Sequence, residues 1–109
     1  MITINEFKNK LSSGSRLLGI DLGTKRIGIA ISDYNQKIAT PLQTLDKSKR
    51  VKLIDKLRSI ITENDIKGII IGNPINMDGT YGKSSQSAKD TAINISKKID
   101  IPVSLWDER

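Results

Sequence analysis

Asp21 is the residue of this sequence whose surroundings most suggest chemistry. It lies in Gly19-Ile20-Asp21-Leu22-Gly23, followed by Thr24-Lys25-Arg26 and by Ile27-Gly28-Ile29-Ala30-Ile31-Ser32-Asp33. Two β-type runs about a tight polar turn read as a hairpin. Side chains alternate along a strand, so Gly19, Asp21 and Gly23 share one face, and Leu18, Ile20 and Leu22 share the other. Gly28, Ala30 and Ser32 oppose Ile27, Ile29 and Ile31 in the same way. If the two small-residue faces coincide, Asp21 stands on ground cleared of bulk, where a backbone or a ligand can approach closely. The plainer alternative is that the small residues accommodate a crossing helix and Asp21 caps a neighbouring group.

The composition narrows what such an acid can do. The 109 residues include no cysteine and no histidine. Disulfides, thiolate nucleophiles, Ser-His-Asp constellations and imidazole bases are therefore excluded, which leaves carboxylates, Lys, Tyr, Ser or a metal-bound water. Eighteen Lys and Arg against twelve Asp and Glu give a net charge of +6. That surplus suits a polyanion such as nucleic acid, and it equally suits a merely soluble surface.

Lys25 and Arg26 sit in the turn beside Asp21, where they could hold a phosphate or simply be solvated. Lys83 opens a helix in Gly82-Lys83-Ser84-Ser85, which combines a cation with a helix N-terminus, although ordinary capping is the commoner role. Lys49, Lys52 and Lys56 read as a solvated helix face. The aromatics Phe7, Tyr34, Tyr81 and Trp106 are too few for a platform that stacks successive bases.

One domain is expected over residues 16–109, preceded by an appendage and flexible joint, residues 1–15, with a short helix in 1–11. A third strand is expected over Lys37–Thr40, stopped by Pro41. Val51, Ile54, Leu57 and Ile61 mark an amphipathic helix from about Ser48 to Glu63, ended by Asn64 and Asp65. Ile66–Ile71 is a strand buried on both faces. Residues 73–82 form a loop, Ala88, Ala92, Ile95 and Ile99 mark a second helix, and Val103–Trp106 is the last strand. The order β-β-β-α-β-α-β implies an α/β protein with a mixed sheet flanked by helices. Among apolar runs, Gly68–Gly72 holds only Ile69, Ile70 and Ile71, far short of the roughly 20 residues a membrane span needs. No secretory signal follows Met1, and a cytoplasmic location is expected.

The hairpin motif, together with Gly72-x-Pro74, Met77-Asp78-Gly79 and Asp107-Glu108-Arg109, resembles the YqgF family, also called RuvX, over residues 16–109. The resemblance implies an RNase H-like five-stranded sheet. It implies a nuclease acting on structured RNA and maturing the 5′ end of pre-16S rRNA, with a non-catalytic nucleic-acid-binding role or resolution of DNA junctions as alternatives. Asn73 and Thr91 depart from the family pattern. The resemblance also implies Mg²⁺ or Mn²⁺ held by Asp21 and Glu108, with Asp107 as a neighbour that strand alternation turns away. Phosphate contacts would come from Lys25, Arg26, Lys83 and Arg109. The family's further aspartate lies on a C-terminal helix beyond Arg109, so this chain is expected to be slow or inactive.

Overall fold

The computed structural model describes residues 1–11, 14–23, 25–36, 38–46, 52–74 and 83–108, and of residues 73, 74, 83–85, 107 and 108 the backbone only. The elements run α1 (Ile4–Lys10), β1 (Arg16–Leu22), β2 (Arg26–Ser32), β3 (Ala39–Asp46), α2 (Leu53–Asn64), β4 (Ile66–Pro74), α3 (Lys83–Lys98) and β5 (Val103–Glu108). The five strands form one mixed sheet in the order β3-β2-β1-β4-β5. The hairpin partners β1 and β2 are antiparallel, as are β2 and β3, whereas β1, β4 and β5 run parallel. This is the expected fold class.

The core lies on one side of the sheet. Leu18, Ile20, Ile27, Ile29, Ile69, Ile71 and Val103 project from the strands onto Leu57 and Ile60 of α2 and onto Ala88, Ala92, Ile95 and Ile99. Each of these residues is under a tenth exposed, and the 3.6-residue spacing read from the sequence is the spacing that aligns them. α2 ends in Asp65, whose left-handed backbone (φ 54°) lets its N–H bond to the Ile61 carbonyl.

The described residues cover only part of the opposite side. Phe7 of α1 is 2% exposed yet stands apart from the main core, seated on Gly68 of β4. A Cβ at Gly68 would lie 2.7 Å from the Phe7 ring and 2.8 Å from Leu11, so only glycine lets the helix settle there. The Ile2 N–H also bonds to the Val103 carbonyl at 2.9 Å, forming a parallel bridge beside β5. Residues 1–11 thus pack on the sheet that was assigned to 16–109, while Ser12 and Ser13 of the expected joint lie outside the described residues.

Three boundaries differ from expectation. β3 does not stop at Pro41 but runs through it to Asp46. It is an edge strand, and its register skips Leu42 between the pairs Ile29–Gln43 and Ala30–Pro41. A bulge on an edge is where a strand tolerates a residue without an N–H. α2 begins at Leu53 rather than near Ser48; Lys52 caps it without a side-chain bond, and residues 47–51 lie outside the described set. β4 continues past Ile71 to Pro74, because pairing with β5 persists through Asn73–Asp107 and Pro74–Glu108. Of the expected loop, residues 75–82 lie outside the described residues.

Candidate active site

Asp21 is set by the hairpin register. Pairing of Gly19 with Ala30 and of Asp21 with Gly28 puts the two small-residue faces side by side. β1 runs level with β4 through Gly19–Ile70 and Ile20–Ile71, and continuing that register brings Asp21 beside Gly72. Gly72 pairs with Trp106, and on the other side Gly28 pairs with Thr44. One row therefore crosses all five strands: Thr44, Gly28, Asp21, Gly72, Trp106. At about 4.8 Å per strand it spans roughly 19 Å, with Asp21 in the middle.

An open groove of about 360 Å³ lies over this row, lined by Gly19, Asp21, Gly28, Gly72 and Trp106 among others. α1 covers the amino-terminal ends of β4 and β5, so the groove occupies the carboxyl-terminal half of the same face. Ligands of open α/β sheets bind outside the carboxyl ends of parallel strands, where helices leave a crevice. The Asp21 side chain is exposed and has no hydrogen bond or ion pair among the described residues. A carboxylate with no partner among the described residues, and with glycine on both sides, keeps its capacity for a cation or a water.

The turn beside it is built by Gly23. Its N–H bonds to the Arg26 carbonyl at 2.9 Å, and a Cβ there would stand 2.8 Å from that oxygen. A residue with a side chain could not close the turn this tightly, and the turn fixes where Lys25 and Arg26 emerge. Both are exposed, and Arg26 has the strand parity of Gly28, on the face of Asp21.

Glu108 and Asp107 end β5, paired through their backbones with Pro74 and Asn73. Relative to Asp21, the Glu108 backbone is two strands across, about 10 Å, and two residues further along, about 7 Å. It ends a strand parallel to that of Asp21, at the same edge of the sheet. The side chains of Asp107 and Glu108 lie outside the described residues, as do that of Lys83, whose backbone opens α3, and the whole of Arg109. Among the described residues no three carboxylates gather.

Sequence reasoning passed over Trp106. It is 50% exposed at one end of the row, although it sits on a paired strand. The signal was available: counting back two positions from Glu108 gives Trp106 the same strand parity.

Known proteins match this chain closely. A protein of Pelagibacter ubique named "Putative pre-16S rRNA nuclease" is 57% identical over all 109 residues, and the chain spans 72% of its length. One of the same name from Cereibacter sphaeroides is 42% identical over 107 residues, which are 98% of this chain and 67% of that protein. Among solved structures, Thermus thermophilus RuvC in complex with a Holliday junction substrate superposes with a TM-score of 0.58. Its identity is 10%, over 85% of this chain and 64% of RuvC, so the likeness is one of fold, and the chain spans less than two thirds of that protein. The sheet is thus of the RNase H-like kind that the hairpin motif implied. The model of the RuvX family, described as Holliday junction resolvase, matches residues 15–109. By that match, and by relatives of this identity aligned along its whole length, the chain belongs to the RuvX family.

Proposed function

We propose that the chain is the nuclease core of a cytoplasmic, divalent-metal phosphodiesterase that acts on structured RNA and matures the 5′ end of pre-16S rRNA. The observation that carries this reading is the Asp21 carboxylate, without a partner among the described residues, at the centre of an open, glycine-floored row at the carboxyl ends of β1, β4 and β5. The relatives' names supply the RNA.

The donor chemistry fits Mg²⁺ or Mn²⁺: Asp21 offers hard carboxylate oxygens with no competing partner among the described residues. Glu108, by strand parity on the same face, is the second holder, and Asp107, of opposite parity, is a neighbour. The backbone offset is one that Asp and Glu side chains can close with a single hydrated ion between them. When bound, the metal would lower the pKa of a water and stabilise charge on the leaving oxygen. The rest falls to the chain's own cations. Arg26, on the face of Asp21, and Lys25, at the turn, would hold the phosphates next to the cleaved bond; Lys83 and Arg109 would extend that contact.

The family description favours a second reading, a four-way DNA junction as the substrate. One assay separates the two. The chain, extended with the part of its Pelagibacter relative that it does not span, is given a structured pre-16S rRNA fragment or a four-way DNA junction, each with Mg²⁺ or Mn²⁺. Cleavage of the RNA with the junction spared is expected. Cleavage of the junction alone would establish the second reading, and no cleavage of either would refute the nuclease proposal.

A further inference from the structure

We propose that the open half of the sheet holds one unpaired nucleobase, stacked on the indole of Trp106, while the strand carrying that base crosses Asp21. The inference rests on the nucleic-acid reading above and specifies which kind of nucleotide lies beside the cleaved bond.

Trp106 is half exposed in the groove, although its strand is paired and its neighbour Gly72 has no side chain to cover it. Its row partner towards the centre of the sheet is Asp21, two strands or about 10 Å away. That distance is about the span of one nucleotide from base to phosphate. The groove is apolar at the Trp106 end and anionic at Asp21, with Arg26 of matching parity and Lys25 at the turn beyond.

An apolar occupant, such as the face of a partner helix, would bury the Asp21 carboxylate without a partner, at a cost of several kcal/mol. A nucleotide does not incur that cost. It brings a flat π face for the indole, a phosphate for the cations, and polar edges that leave the carboxylate hydrated or metal-bound. A paired base has both faces occupied by its own stack, so the occupant is a base in a loop, bulge or end. Four aromatics make no platform for successive bases, but one ring suffices for one base.

The test uses the only tryptophan in the chain as its reporter. A labelled single-stranded RNA octamer, its DNA counterpart and a blunt RNA duplex are titrated at low salt, with anisotropy reporting binding and tryptophan emission reporting stacking. Quenching by a single strand, with the duplex binding but not quenching, is expected; whichever of RNA and DNA quenches more is the strand that is read. Trp106→Ala should weaken single-strand binding about ten-fold and leave duplex binding nearly unchanged, while Trp106→Phe should recover most of the loss. The titrations contain no divalent metal and read binding rather than cleavage, so a failed metal site would not mimic a failed stack. Binding without quenching, equal quenching by the duplex, or undiminished affinity in Trp106→Ala would overturn the proposal. So would an emission shift that follows protein concentration without nucleic acid, since that would show a second copy on this face.

Discussion

Asp21→Asn, introduced into the chain extended by the part of its Pelagibacter relative that it does not span, is expected to lower RNA cleavage at least about 100-fold while leaving the fold intact. The change removes one negative charge and keeps the shape. Asp21 is exposed and makes no hydrogen bond or ion pair among the described residues, so no packing or network depends on its charge. Stability should therefore move by no more than about 0.5 kcal/mol, the usual range for a surface substitution. Catalysis has no such tolerance. With one anionic ligand lost, the ion is under-neutralised and displaced relative to the attacking water, and a displacement of about 1 Å is enough for a 100-fold loss. Single-turnover rates, with circular dichroism on both proteins, check this. An unchanged rate would place the chemistry elsewhere on the molecule.

Binding should behave differently from cleavage. If Lys25, Arg26, Lys83 and Arg109 each contact a phosphate, four counterions are released, and log K should fall with log salt at a slope of about −3. Raising salt from 50 to 200 mM should then weaken RNA binding about 60-fold. Replacing Lys25 and Arg26 by Ala should halve the slope, a reduction of about 1.5 units. The measurement is the dissociation constant across a salt series for the parent and the double variant. A slope near zero would show that the +6 charge of the chain serves solubility alone.

The parts of the fold legible in the sequence were those fixed by local periodicity. Alternation about Thr24-Lys25-Arg26 gave both faces of the hairpin, and the three- and four-residue spacing of Leu57, Ile61, Ala88, Ala92, Ile95 and Ile99 gave the helices on the core side. Features decided by contacts between distant residues left no local mark. Pro41 reads as a stop, yet at a bulged edge its missing N–H breaks no central ladder. Asn73 and Pro74 carry turn character, yet pairing with β5 keeps them in β4. The docking of Phe7 onto Gly68 unites residues 61 apart in the chain. At the site, the clearing around Asp21 was visible because it depends on one hairpin, whereas the full row required the order β3-β2-β1-β4-β5. Trp106 was counted as one aromatic among few, and only the sheet shows that it shares a groove with Asp21.

The proposed metal site places one divalent ion between Asp21 and Glu108 at the carboxyl end of the sheet. It is tested most directly by titrating Mn²⁺ into isotopically labelled protein and mapping which amide signals the paramagnetic ion broadens. The expected result is the strongest broadening at Asp21, Gly28, Gly72 and Glu108, weaker broadening in α1, and loss of the effect in Asp21→Asn. Broadening centred elsewhere, or unchanged in Asp21→Asn, would contradict the account.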